Sequence, residues 1–211
     1  HCAELREGSF LLVDSGAQYL GGTTDITRTI SLGEVPGSYR RDYTLVLQAF
    51  IRLHAARFPE GCTGKSLDVL SRQVMWENYL DYKHGTGHGV GCYLNDHEGP
   101  TNFANARVPM EEGMVISIEP GIYRAGLLGV RTENLVTVVR DKRSGEFGQF
   151  FRFEPLTLCP INTQAIETKM LSRSEVAWLN QYHSYVFEQL SPMLEPEERK
   201  WLGAATAPLH I

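Results

Sequence analysis

The stretch His84-Gly-Thr-Gly-His88-Gly-Val-Gly91 constrains this chain more than any other. Two imidazoles sit four residues apart among four glycines, and a third histidine, His97, follows in Asn95-Asp-His-Glu-Gly-Pro100. Glycine at every second position weakens helix and strand alike, because each glycine loses more backbone entropy on folding than any other residue. A chain accepts that where its backbone must approach a ligand closely or adopt an unusual φ. The segment therefore reads as a site; a Gly-rich surface loop with incidental histidines is the plain alternative. A phosphate loop does not fit: the glycines do not form G-x-G-x-x-G, and Gly64-Lys65-Ser66 has Pro59 where a P-loop needs its first glycine.

Four carboxylates keep the histidines company. The apolar run Phe10-Leu-Leu-Val13 ends at Asp14-Ser-Gly, and the β-rich run Thr23-Thr-Asp-Ile-Thr-Arg-Thr-Ile30 follows Gly21-Gly22. This predicts a hairpin across a Gly-Gly turn that can bring Asp14 and Asp25 to one face. Asp25 lies inside a β-branched run where Asp is disfavoured, whereas Asp14 reads equally well as the start of a turn. Glu119 ends a strand from Val115, and Glu133 lies within a further strand from Gly129 to Val139, where a solvent-facing position would also account for it.

Around these runs the periodicity predicts a helix from Ser38 to about Phe58, stopped by Pro59-Glu-Gly61, and a second from about Ser66 to Leu80. Asn95 to Asn105 reads as a long polar loop, and Phe151 to Leu158 as a last strand. The character then changes. Ser172-Arg-Ser-Glu175 is a capping box opening a helix with Val176, Leu179, His183, Val186 and Leu190 on one face, and Pro196 starts a short final helix. The expected division is an α/β domain over 1–160, which holds every candidate site residue, and a helical extension over 161–211.

A net charge of −5 without a Lys/Arg run lacks the footprint of a nucleic-acid binder. No apolar stretch of membrane-spanning length is present. Four dispersed cysteines without a C-x-x-C read as reduced thiols of a cytoplasmic protein. Because the chain opens at His1 and is almost at once in a strand, it is expected to be a piece of a longer protein.

Four carboxylates converging on one pocket would repel one another and raise their own pKa values unless cations neutralise them. Two divalent ions balance four negative charges, so a dinuclear site with bridging carboxylates is the economical arrangement. Two metals roughly 3.5 Å apart can activate a shared water and clamp a tetrahedral intermediate. Oxygen-rich ligation with one imidazole favours Mn, with Co, Zn and Fe also open.

The motifs Asp14-Ser-Gly-Ala-Gln-Tyr, Gly22-Thr-Thr-Asp-Ile-Thr-Arg-Thr, His84-Gly-Thr-Gly-His-Gly-Val-Gly, Ile118-Glu-Pro-Gly-Ile-Tyr and Arg131-Thr-Glu-Asn-Leu resemble, in this order, the five ligand motifs of the pita-bread metallopeptidases. That superfamily holds methionine aminopeptidase, prolidase and aminopeptidase P. His97-Glu-Gly-Pro, Phe153-Glu-Pro-Leu-Thr-Leu and Trp178-Leu-Asn-Gln-Tyr-His183 in a helical tail are similar to the long, three-domain form of aminopeptidase P, the Xaa-Pro aminopeptidases. The resemblance implies a pita-bread domain truncated at its N-terminal side. It implies that Asp14 holds one metal, His88 with Glu119 the other, and that Asp25 and Glu133 bridge them. Glu119 would also be the acid/base, His84 and His97 would shuttle protons and hold the substrate carbonyl, and Arg131 would orient the ligands.

The family's further histidine upstream of the first Asp has no counterpart in this chain. The implied activity is release of the N-terminal residue from peptides with proline second. Prolidase is the nearest rival, and an inactive relative serving as a binding module is the rival from another class. The resemblance also suggests a homodimer for the intact protein, with Trp178, Tyr182 and Tyr185 widening the aromatic character of the tail helix.

Overall fold

The computed structural model describes residues 4–93, 95–104, 107–143 and 145–210. The hairpin forms as expected: β1 (Ser9–Tyr19) and β2 (Gly22–Leu32) pair antiparallel along their whole length, with Asp14 opposite Thr27 and Gly16 opposite Asp25. Side chains alternate faces with period two, so Asp14, Asp25 and Thr27 share one face. The turn lies at Leu20-Gly21, which makes Asp14 a ladder residue and not the start of a turn.

Helix α1 (Gly37–His54) buries Tyr43, Val46, Leu47, Phe50 and Leu53. It ends four residues before the predicted Phe58. Arg57–Pro59 instead forms β3, pairing with β10 (Phe150–Pro155) so that Phe58 lies opposite Phe151, with its ring 5.1 Å from that of Phe153. Burying this aromatic against a distant strand overrides the helical spacing, which carries no information about such a partner. Helix α2 (Gly64–Glu77) follows.

One six-stranded sheet carries the centre of the molecule in the order β3-β10-β9-β6-β4-β5, every pair antiparallel, with β4 at His88–Val90, β5 at His97–Asn102, β6 at Val115–Ile118 and β9 at Asn134–Arg140. A second hairpin joins β7 (Gly121–Arg124) to β8 (Leu128–Arg131). Two expectations are corrected. The segment read as a long polar loop contains β5, because its backbone has β4 as a partner. The strand predicted from Gly129 to Val139 is two strands broken at Thr132-Glu133: β8 pairs with β7, while β9 pairs with β6 and β10.

The glycines of the histidine segment also have a different cause from the one expected. None of Gly85, Gly87, Gly89 and Gly91 has a left-handed φ. A Cβ on Gly87 would collide with the Ser117 carbonyl, and one on Gly89 with the Glu98 and Thr101 carbonyls. The backbone of this segment is wedged between its neighbours, so the close approach is strand to strand and not strand to ligand.

Helix α3 (Arg173–Leu190) starts at the predicted capping box, with Ser172 Oγ accepting from the Glu175 N–H at 3.2 Å and Glu175 Oε2 from the Ser172 N–H at 2.7 Å. Helix α4 spans Pro196–Ala205. Val176, Leu179 and Val186 of α3 join one apolar core with Val46, Phe50 and Leu53 of α1, and Trp178 packs edge-on to His54 at 4.8 Å. Tyr182 is buried as well, so only Trp178 and Tyr185 of the three tail aromatics keep part of their surface open. Among the described residues no helix is long and apolar enough to cross a membrane.

Candidate metal centre

The site is assembled at strand ends. His88 opens β4; its N–H donates to Ser117 Oγ at 3.0 Å and its Nδ1 lies 3.1 Å from the Gly89 carbonyl, which leaves Nε2 facing the cleft. Asp25 Oδ2 is 3.5 Å and Glu119 Oε1 3.4 Å from that nitrogen. One donor atom each from Asp25, His88 and Glu133 lies within 4.8 Å of the others. Glu119 follows β6 directly, its N–H donating to the Thr86 carbonyl at 2.7 Å and its carboxylate accepting from Ser117 Oγ at 3.3 Å. Glu133 stands in the break between β8 and β9. Its N–H donates to the Thr27 carbonyl at 3.1 Å while Thr27 Oγ1 donates to its carboxylate at 2.7 Å, so the hairpin that carries Asp25 also holds Glu133.

Of the predicted site residues, Asp25, His88, Glu119 and Glu133 come together. Asp14 does not close with them; it is paired to the Arg131 guanidinium. Arg131 also donates to Thr27 Oγ1 at 3.1 Å and to the Tyr123 hydroxyl at 2.9 Å. His84 has Nδ1 2.7 Å from the Gly85 carbonyl and Nε2 3.0 Å from Tyr123 Oη. A proton on Nδ1 and a Tyr123 hydroxyl donating to Nε2 satisfy both contacts. His97 begins β5, its side chain largely exposed and its ring stacked on that of His88 at 3.6 Å and 8°. One donor atom each from His88, Asp96 and His97 also lies within 4.8 Å of the others, so His97 stands beside the cluster. Tyr123 and Thr27 were missed by sequence reasoning. Each lies inside a motif whose carboxylate is its distinctive residue, Thr27 two residues after Asp25 and Tyr123 four after Glu119.

The electrostatics fit divalent cations. Glu133 is 1% exposed, and burial, then the charges of Glu119 and Asp25, hold its carboxyl well above the usual range. Burial likewise raises Glu119, although His88 and Arg131 pull it down. Burial by itself would lower the His88 imidazole, but its hydrogen bond to Asp25, the Gly89 carbonyl and the Glu119 charge outweigh that and raise it to about 9. The donor set thus carries more negative charge than nearby side chains offset, and its oxygens with one imidazole suit a hard divalent ion.

A stability measurement follows with a definite sign. With cations removed by a chelator, the raised His88 pKa contributes stability that is complete below 6.5 and is lost as pH rises from there through about 9. The raised Glu133 carboxyl acts in the same direction. His54 and His183, each lowered to about 4 by burial, oppose this only between about 4 and 6.5. The melting temperature of the chelated protein should therefore fall from pH 7 to 9, and Mn²⁺ should abolish that fall by replacing the protons. A flat or rising profile over that window would count against the cluster.

Known proteins place this geometry in a family. Residues 1–140 match the model of metallopeptidase family M24, and residues 149–209 that of the C-terminal region of peptidase M24. A probable Xaa-Pro aminopeptidase P of Tuber melanosporum is 44% identical over 217 residues, covering 99% of this chain and 35% of that protein. An X-prolyl aminopeptidase of Caenorhabditis elegans, described as a cytosolic enzyme with a di-nuclear active site, superposes with a TM-score of 0.91 at 40% identity over 95% of this chain and 33% of its own. The prolidase of Pyrococcus furiosus gives a TM-score of 0.59 at 38% identity over 72% of this chain and 42% of its own. The chain thus spans about a third of the length of the curated relatives it matches. Its mixed α/β architecture is that of the pita-bread enzymes, and with the family model matched along two thirds of its residues the chain belongs to metallopeptidase family M24.

Proposed function

We propose that the intact protein is a metal-dependent aminopeptidase that releases the N-terminal residue from peptides with proline second. The observation that carries this is the convergence of Asp25, His88, Glu119 and Glu133 in a chain similar over almost its whole length to Xaa-Pro aminopeptidases. Asp14 would hold one cation, His88 and Glu119 the other, with Asp25 and Glu133 between them; Mn²⁺ suits these donors best. Bound cations supply Lewis acidity that brings the pKa of water toward neutrality.

The chain's own residues do the rest. Glu119, steadied by Ser117 and Thr86, takes a proton from the attacking water on its carboxylate and passes it to the proline nitrogen as the C–N bond breaks. His97, exposed beside His88, donates to the substrate carbonyl as negative charge develops on it. The His84–Tyr123–Arg131 chain fixes Arg131, which in turn holds Asp14. A peptide bond to proline has no N–H on its nitrogen and a restricted φ, so a peptidase that expects an N–H partner loses a contact and a dedicated site is needed.

The full-length protein should contain two metal equivalents, cleave Arg-Pro-Pro and leave Gly-Pro intact. Cleavage of Gly-Pro alone would make it a prolidase, and a protein without metal or turnover would favour a binding module. His97→Ala is expected to keep both metals and lose roughly 10²–10³ in rate, the usual cost of an oxyanion donor. Loss of a metal equivalent in that variant would show that His97 is a ligand instead.

Cytosolic residence is supported by the separate free thiols of Cys62, Cys92 and Cys159. The intact protein is taken as a homodimer with residues from about Leu171 onward at the contact, where Trp178 and Tyr185 retain open surface. Light scattering with and without the tail tests this.

A further inference from the structure

Two of the converging carboxylates come from short segments, Asp25 to Thr27 on β2 and Arg131 to Asn134 across the break between β8 and β9. The next residue on β2, Arg28, points to the opposite face of the hairpin from Asp25 and Thr27 and ties the two segments together from behind. Its side chain is buried. Nη1 donates to the Glu133 carbonyl at 2.5 Å and to the Thr27 carbonyl at 2.9 Å. Nη2 lies 2.8 Å from Asn134 Oδ1, 2.8 Å from the Cys159 carbonyl and 3.1 Å from the Tyr182 hydroxyl, and Nε donates to the Pro160 carbonyl at 3.0 Å. Every one of these acceptors is a carbonyl, amide or phenol oxygen. The Tyr182 hydroxyl also lies 3.0 Å from the Thr157 and Cys159 carbonyls. One guanidinium thus joins the Asp25 strand, the Glu133 break, the segment after β10 and helix α3.

Stability by itself does not explain this arrangement. A buried cation must replace its whole hydration shell with protein oxygens, and an apolar filling of the same space is often no less stable. What the guanidinium adds is direction: its N–H groups leave a rigid plane at fixed angles, so the oxygens that accept them are held relative to one another. Glu133 is then held on both sides. Thr27 holds its N–H and carboxylate, and Arg28 holds its carbonyl. We infer that Arg28 is a positioning residue for the metal centre, braced by Tyr182, and that through this pair the C-terminal helical extension sets the placement of the Glu133 carboxylate against Asp25. The inference rests on the reading of Asp25 and Glu133 as cation ligands.

Arg28→Lys in the full-length protein keeps the charge and loses the fork, Tyr182→Phe removes only the brace, and Val74→Ala loosens the buried face of α2 away from the network. Metal affinity is read by Mn²⁺ titration and elemental analysis, folding by circular dichroism and melting. Arg28→Lys is expected to bind Mn²⁺ about 10- to 100-fold more weakly, with lower kcat on Arg-Pro-Pro and a near-constant KM; Tyr182→Phe should shift both in the same direction by a smaller factor. Val74→Ala should lower the melting temperature and keep wild-type Mn²⁺ affinity. Wild-type affinity in folded Arg28→Lys overturns the inference. So does wild-type affinity in Tyr182→Phe, which remains decisive if Arg28→Lys does not fold, and so does an equal loss of affinity in Val74→Ala. A wild-type protein that takes up no Mn²⁺ overturns the reading of the site beneath it, and that result is visible before any variant is made.

Discussion

Asp25→Asn is expected to lose cation binding between Glu133 and His88 and to cut peptide cleavage by about 10²- to 10⁴-fold while the fold persists. The magnitude follows from the several kcal/mol that metal ions contribute to transition-state charge stabilisation, at 1.36 kcal/mol per decade. Asparagine has almost the same shape as aspartate, and Asp25 occupies its ladder position opposite Gly16 through its backbone, so β2 has no reason to shift. The charge is what a cation at this position would use: Asp25 is 7% exposed, 3.5 Å from His88, and is the first partner that raises the His88 pKa. Elemental analysis, a Mn²⁺-replete cleavage assay and circular dichroism check the three parts separately. Near-normal turnover with Mn²⁺ present would remove Asp25 from the ligand set.

Gly87→Ala should do damage of another kind. The added methyl would meet the Ser117 carbonyl and stand 3.0 Å from the Phe103 ring, so either β4 or β6 must move. Ser117 accepts the His88 N–H and precedes Glu119 by two residues; displacing β6 therefore separates two of the converging side chains. Overpacking of this sort costs about 1–3 kcal/mol, which at its upper end is a fall of about 6–12 °C in melting temperature for a domain of this size. Metal content should fall with it. Gly85→Ala is the matched control, because its nearest neighbours stand at an ordinary 3.6 Å. Equal effects of the two substitutions would show that the glycines matter through chain entropy and not through strand approach.

The sequence by itself determined the features that depend on neighbours along the chain. The hairpin with Asp14 and Asp25 on one face follows from turn chemistry and period two, and the start of α3 follows from Ser172 and Glu175. The carboxylates that come together were legible too as candidates, since carboxylates inside strand-forming runs are out of place unless something pairs with them. The tertiary structure alone decided how those donors are held. Thr27 and Glu133 meet 106 residues apart, Arg28 and Tyr182 154 apart, and Phe58 leaves the helical pattern because Phe151 and Phe153 bury it. Tyr123 belongs to the site because β7 and β8 fold back to set its hydroxyl between His84 and Arg131. Hydrophobic spacing, caps and turns record energies between residues a few positions apart, whereas these contacts form only after distant strands have paired, so no local pattern encodes them.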